Sequence, residues 1–112
     1  MFIFFSACSS NEKINELEQI DLPVDSLYNK ALDSVYNGKP KEAASLFEEV
    51  ERQHPYSTWA VKAQIMAAWA YYEANDYPRA LSTLERYIEL YPAHEDTEYA
   101  YFCLLYTSDA AD

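Results

Sequence analysis

Residues 43–55, AASLFEEVERQHP, and residues 80–92, ALSTLERYIELYP, are two versions of one pattern that recurs after 37 residues. Within each segment the apolar positions fall three or four residues apart, which predicts an amphipathic helix that buries one face. The matched positions carry a small residue, two large apolar residues and a closing proline: Ala43 and Ala80, Phe47 and Leu84, Val50 and Tyr87, Pro55 and Pro92. Helices that recur at a fixed spacing of this length predict a solenoid.

A second helical pattern precedes each of these segments. Residues 24–36 carry the first one, and a longer one covers about residues 58–74, with Ser57 as its candidate N-cap. Ala31 and Ala68 occupy matching places in the two patterns, where a small residue lets paired helices approach closely. A fifth helix starts near residue 95. The sequence therefore predicts an all-α solenoid of two repeats and the beginning of a third.

The composition agrees with helices and excludes some partners. The chain of 112 residues has one glycine, whereas tight β-hairpins favour glycine turns. The longest apolar run, residues 65–72, is shorter than the roughly 18 residues that span a bilayer. The formal net charge is −11 and only eight residues are lysine or arginine, so we expect no binding to nucleic acid.

The repeat resembles the tetratricopeptide repeat, which has a small residue in its first helix, an alanine and a large apolar residue in its second, and a closing proline. The resemblance assigns residues 24–55 and 57–92 to two repeats and residue 95 onward to a third. The period of 37 exceeds the usual period of about 34, which implies that the longer helix starts about one turn early. Lys30 and Ser34 stand at places that are usually apolar or aromatic.

The first helix of each tetratricopeptide repeat lines the concave surface of the solenoid, and here that surface would be rich in aromatic residues. Tryptophan and tyrosine offer large, stiff contact areas with a polar tip, which suits peptide binding. Aromatic residues at helical spacing are more often core, as we expect for Tyr71, Tyr77 and Tyr87, and both interpretations stay open for Trp69 and Tyr72. The candidate groove positions are Tyr28, Leu32, Val35, Tyr36, Lys62, Ile65, Trp69, Tyr72 and Glu73.

The N-terminal segment, MFIFFSACSS at residues 1–10, resembles the lipobox of bacterial lipoproteins. In that class the cysteine after the small residues carries the lipid, which implies lipidation of Cys8. Phe5 stands where leucine is commonest, and the apolar stretch is shorter than a complete signal peptide requires. Residues 1–8 are therefore interpreted as a truncated signal remnant. Residues 9–22 are polar and acidic and are interpreted as a flexible tether.

A longer stretch is similar to one family. Residues 51–92, ERQHPYSTWAVKAQIMAAWAYYEANDYPRALSTLERYIELYP, followed by EYAYF at residues 98–102, resemble the BamD family of outer-membrane assembly lipoproteins, of an alphaproteobacterial kind. The resemblance implies a lipid-anchored protein on the periplasmic face of the outer membrane. It would work with a BamA-like barrel and other assembly subunits and bind the targeting segments of unfolded barrel proteins. It implies neither catalysis nor a cofactor.

Two other functions remain as alternatives. The first is another periplasmic scaffold of tetratricopeptide repeats, such as the Tol-Pal accessory proteins, although those carry a coiled coil before the repeats. The second is an enzyme with an appended repeat domain. His54 and His94 lie in turn regions, and no other histidine or cysteine stands at the i, i+4 spacing of a helical zinc site from either, so no metal site is predicted.

The last ten residues, CLLYTSDAAD at positions 103–112, break the pattern. Mapped back by one period they replace residues 66–75, MAAWAYYEAN, and they bring weaker helix formers. They also resemble the translation of a transposase adapter used to prepare sequencing libraries. We therefore expect residues 103–112 to be non-native and the natural sequence to end at Phe102.

Overall fold

The computed structural model describes residues 23–111, which form five α-helices and no strand. This confirms the all-α prediction. The signal remnant, Cys8 and the tether lie outside the described residues. The helices are α1 (Val24–Tyr36), α2 (Pro40–Gln53), α3 (Thr58–Glu73), α4 (Tyr77–Leu90) and α5 (Thr97–Ala111).

The helices pack in chain order, as a solenoid requires. Each helix contacts the next, and α1 also contacts α3. Helix α3 is therefore covered by α2 on one side and α4 on the other, which explains why it buries apolar residues all round instead of along one stripe. Its buried residues are mostly alanines, and small side chains let both neighbours come close: Ala60, Ala63, Ala67, Ala68 and Ala70.

The turns inside the two helix pairs are copies of each other. Gly38 has a φ of 71° and Asn75, one period later, has a φ of 62°. The amide N–H of each donates to a carbonyl three residues back, at 3.0 Å in both turns. Glycine and asparagine tolerate this left-handed conformation better than other residues, so the sequence specifies the same turn twice.

The core confirms the matched positions of the repeat. Ala31, Ala43 and Ala80 are fully buried, as are Phe47 and Val50 on α2. Their counterparts on α4 are also buried: Leu84 and Tyr87. Of the three tyrosines expected in the core, Tyr71 and Tyr87 are buried, and Tyr77 is half-buried.

The helix boundaries differ from the sequence-based expectation at two places. Helix α4 begins at Tyr77, three residues ahead of the pattern that starts at Ala80, because the Asp76 side chain accepts a hydrogen bond from the Arg79 amide and caps the helix there. Helix α5 begins at Thr97, whose hydroxyl donates to the Tyr91 carbonyl. The expected cap of α3 is confirmed, since the Ser57 hydroxyl accepts from the Ala60 amide at 3.0 Å.

Helix α5 continues through residues 103–111 without a break. Within it, Thr107 is buried and its hydroxyl donates to the Cys103 carbonyl at 2.7 Å. A helical conformation does not bear on where these residues come from, so their non-native origin stays a prediction.

Candidate functional site

An apolar groove of about 700 Å³ runs between α1, α3 and α5, with Leu84 of α4 at its floor. Two of the helices that form its walls are the first helices of the two repeats, as the concave-surface prediction requires. Six of the nine candidate groove positions line it: Leu32, Val35, Tyr36, Ile65, Trp69 and Tyr72.

The repeat register explains which positions meet in the groove. Leu32 and Trp69 are one period of 37 residues apart, and so are Val35 and Tyr72. Equivalent positions of a solenoid point to the same side, so each pair adds two neighbouring contacts to one surface. The groove therefore follows from the repeat itself.

The groove residues of α5 were missed in the sequence. Tyr99, Phe102 and Tyr106 line the groove opposite α1 and α3. Tyr99 and Phe102 lie one period after Lys62 and Ile65, and Ile65 is itself a groove residue, so carrying the register forward would have identified Phe102. Tyr106 belongs to residues 103–112, which we expect to be non-native, so the register could not have identified it.

Tyr28 lies apart from the groove, contrary to expectation. Its ring packs between the rings of Phe47 and Trp59, with centroid distances of 5.3 and 5.0 Å. Burial among these rings raises the pKa of Tyr28. The physical reason is the early start of α3, which places Trp59 over the first turns of α1 and packs the half-buried Tyr28 against the core.

The two charged candidates also lie outside the groove. Lys62 is exposed, and its Nζ lies 6.0 Å from the ring centroid of Trp59, at the limit of a cation–π contact. Glu73 is exposed at the end of α3. As a result, the side chains that line the groove carry no formal charge.

The aromatic side chains of the groove differ in how accessible they are. Tyr36 is 83% exposed and Trp69 is 41% exposed, so both are available to a ligand. Tyr72 packs edge-on against Tyr77 and tilted against Tyr106, with centroid distances of 5.4 and 5.8 Å. A hydrogen bond to the Tyr106 side chain raises the pKa of Tyr72. Tyr72 is therefore held in place by neighbouring rings, whereas Tyr36 and Trp69 remain accessible to a ligand.

The histidine at the end of the second repeat has a structural role. His94 Nδ1 lies 3.1 Å from the Tyr87 hydroxyl and accepts from the Asp96 amide at 3.1 Å, so it ties α4 to the turn before α5. Within residues 23–111 no group of three or more histidine, cysteine or acidic side chains is arranged to hold a metal ion. None of the described helices has the length and hydropathy needed to cross a membrane.

The chain is similar in sequence to outer membrane lipoproteins that are named as assembly factors. The model of the outer membrane lipoprotein family YfiO matches residues 20–111. The outer membrane protein assembly factor BamD of Caulobacter vibrioides is 36% identical over 97 residues, covering 87% of this chain and 32% of the relative. The BamD of Neisseria meningitidis serogroup A is 32% identical over 99 residues, covering 87% and 37%. The BamD of Rickettsia prowazekii is 31% identical over 100 residues, covering 89% and 39%.

The chain spans about a third of the length of the curated relatives it matches. The family match, in contrast, covers most of the chain, including all five helices. The chain therefore belongs to the YfiO family of outer membrane lipoproteins.

Proposed function

We propose that this chain is a non-catalytic scaffold in the assembly of outer-membrane β-barrels, and that its groove binds the targeting segments of unfolded barrel proteins. The observation that carries the proposal is the uncharged groove of about 700 Å³, which equivalent positions of the repeats line with aromatic and aliphatic side chains. The assembly-factor name of the relatives supports the same role.

The chemistry of the groove matches the chemistry of a barrel strand. Strands of transmembrane barrels alternate lipid-facing apolar residues with polar ones, so one face of an extended segment presents apolar side chains at every second residue. Such a face buries apolar area against Leu32, Ile65 and Trp69 without leaving a charge unpaired. The opposite, polar face of the segment would face water.

The cellular setting is part of the same proposal. The scaffold is held at the periplasmic face of the outer membrane by a lipid on Cys8, and it works with a BamA-like barrel and other assembly subunits. The names of the relatives, which are assembly factors, support neither of the two alternatives. Those alternatives are a Tol-Pal accessory scaffold and an enzyme with an appended repeat domain.

A binding titration tests the groove. A fluorescein-labelled peptide from the C-terminus of an outer-membrane barrel is titrated with the chain, and anisotropy gives the dissociation constant. We expect Trp69→Ala to weaken binding at least tenfold, which corresponds to about 1.4 kcal/mol. Tyr56→Ala is the matched control, because Tyr56 is 96% exposed and lies outside the groove. Equal affinities for the two folded variants would remove Trp69 from the site.

A further inference from the structure

The turns that precede α3 and α5 have the same backbone hydrogen bond but different side-chain acceptors. Ser57 and His94 are one period apart, and the carbonyl of each accepts from the amide three residues on, Ala60 or Thr97, at 3.1 Å. In the first turn the Ser57 hydroxyl also accepts from the Ala60 amide, at 3.0 Å. In the second turn the acceptor is a ring nitrogen, because His94 Nδ1 accepts from the Asp96 amide at 3.1 Å. A hydroxyl is thus replaced by an imidazole, the side chain that ordinarily changes its charge between about pH 5 and 8.

The hydrogen bonds at His94 Nδ1 require that this nitrogen carries no proton. A backbone amide can only donate, so the bond from Asp96 exists only while Nδ1 keeps its lone pair. The Tyr87 hydroxyl, also 3.1 Å from Nδ1, can donate or accept and can therefore reverse its bond when the nitrogen gains a proton. The His94 side chain is 34% exposed, so protons reach it from solvent. Protonation therefore breaks the bond from the Asp96 amide and spares the contact with Tyr87.

The turn itself supplies another partner for a protonated ring. Oδ2 of the Asp96 carboxylate lies 3.8 Å from His94 Nδ1, too far for a hydrogen bond but close enough for a rotation of the side chain to form one. Glu95 places a second negative charge in the same turn, and both carboxylates act on the Tyr87 phenol. An imidazolium would be attracted to them. Protonation thus exchanges a hydrogen bond from the backbone for an ion pair with a side chain.

The side chains of α4 that face His94 do not change their charge between about pH 5 and 8. The ring centroids of Tyr87 and Tyr91 lie 6.3 and 6.4 Å from that of His94, and burial raises the pKa of both phenols. Beyond Tyr91 lies the ion pair of Glu51 and Arg86, whose two charges act on that phenol in opposite directions. Helices α3 and α5 contribute apolar side chains and one thiol to the cluster around Tyr87: Val61, Ile65, Ala68, Ala100, Cys103 and Leu104.

We propose that His94 is a pH-sensitive switch that holds the first turn of α5 when it is neutral and releases this turn when it is protonated. The Asp96 peptide sets the start of the helix, because its carbonyl accepts from the Ala100 amide at 3.0 Å. Loss of the bond to Nδ1 frees that peptide to turn. Tyr99 and Phe102 of the same helix line the groove, so acid loosens one wall of the groove. This last consequence, unlike the switch itself, rests on the proposed function.

NMR of the ¹³C,¹⁵N-labelled chain between pH 8 and pH 5 tests the switch. We expect the Cα shifts of Thr97 and Glu98 to move from helical towards coil values with the same midpoint as the His94 ring. His94→Asn should keep the helical shifts throughout, because its side-chain oxygen can accept from the Asp96 amide and does not titrate. His54→Asn changes the other histidine of the chain and is the matched control, which should retain the response.

Two results would overturn the switch: Cα shifts that stay helical while the His94 ring titrates, or an equal response in the His94→Asn protein. If His94→Asn does not fold, His94→Ser takes its place, because serine is the residue of the first repeat at this position. The agreement of the two midpoints in the unaltered chain tests the switch without any variant.

A second measurement tests the consequence for the groove. The affinity for a histidine-free barrel C-terminal peptide labelled with tetramethylrhodamine should fall at least about threefold from pH 8 to pH 5, and it should stay constant in the His94→Asn protein. A constant affinity in the unaltered chain would overturn the link between the switch and the groove. Absence of binding at both pH values would count against the proposed function alone, because the Cα shifts are measured without the peptide.

Discussion

The two repeats have the same backbone path and differ in the side chains that pack around it. The residues that directly follow α2 and α4 have nearly the same backbone angles: φ −129° and ψ 59° at His54, and φ −129° and ψ 58° at Tyr91. The left-handed turns at Gly38 and Asn75 match as well. Small residues determine how closely the helices approach, and turn residues determine where the helices stop. Because both kinds of residue recur, the chain follows the same path in each repeat.

The side chains around that path follow their neighbours. Leu27 becomes Gln64, and Ser34, whose hydroxyl bonds to the Lys30 carbonyl at 3.4 Å, becomes Tyr71. Helix α3 has a helix on either side, so Tyr71 can reach across to Glu48 on α2. The comparison teaches that register predicts where a side chain points, while its identity depends on which helices surround it.

The largest expected effect tests whether the repeats unfold together. Phe47 is fully buried and contacts the Tyr28 ring, so Phe47→Ala should lower the free energy of unfolding by about 3–5 kcal/mol. Leu84→Ala in the second repeat should lower it by about 2–5 kcal/mol. Urea denaturation followed by circular dichroism measures both.

If the repeats form one cooperative unit, each variant shifts a single transition. Tyr101→Ala, at a half-exposed position outside the groove, is the control and should change stability by less than about 0.5 kcal/mol. A loss below about 1 kcal/mol for Phe47→Ala would contradict the core described for the first repeat.

An intermediate effect comes from exchanging residues between the repeats. Gln64 is 4% exposed, and neither of its amide atoms makes a hydrogen bond of standard geometry within residues 23–111. Gln64→Leu removes this amide and should raise the free energy of unfolding by about 1–3 kcal/mol. Leu27→Gln, the reverse exchange, should lower it by at least as much because it buries an amide among apolar groups. The same urea titration measures the pair, and a destabilised Gln64→Leu protein would show that Gln64 has an internal partner.

The smallest effect appears at alkaline pH and is greater in the second repeat. Burial is the main cause that raises the pKa of Tyr71 and Tyr87 from 10.0 to about 12, and the bond to Glu48 adds to it at Tyr71. Deprotonation is easier in the unfolded chain, so this stabilisation is complete below about pH 10 and is lost as the pH rises towards 12. The first repeat has Ser34 and Val50 at these positions, which do not titrate there.

Stability measured between pH 9 and pH 12 tests this difference. Tyr71→Phe should make the alkaline loss of stability shallower, because the group with the raised pKa is gone. Tyr56→Phe, at an exposed position, serves as the control and should leave the slope unchanged. An equal slope in the Tyr71→Phe protein would rule out Tyr71 as a source of the alkaline loss.

The sequence predicted the features that depend on spacing. The helices, the matched core and six groove positions all follow from the period of 37, because equivalent residues of a solenoid share one environment. The misplacement of Tyr28 has another cause. It depends on how far α3 extends beyond its counterpart α1, which brings Trp59 onto the Tyr28 ring.

The hydrogen bonding of Gln64 could not be predicted either. Its position is a core position by register, and the sequence does not tell whether a buried amide finds a partner across two helices. That outcome depends on distances between Gln64, Tyr91 and the hydroxyls of α4, which only the packed structure provides. The bonds from Ser82 and Thr83 to the Arg79 carbonyl are equally invisible in the pattern.

The central claim is that barrel segments bind in the groove that the repeats build together, and site-specific photocrosslinking tests it most directly. The crosslinker p-benzoylphenylalanine replaces Tyr36, which lines the groove and is 83% exposed, or Tyr56, which is 96% exposed and lies outside it. Each protein is irradiated with a barrel C-terminal peptide. We predict a crosslinked product at position 36 and little at position 56. Equal yields at the two positions, or product at position 56 alone, would contradict the account.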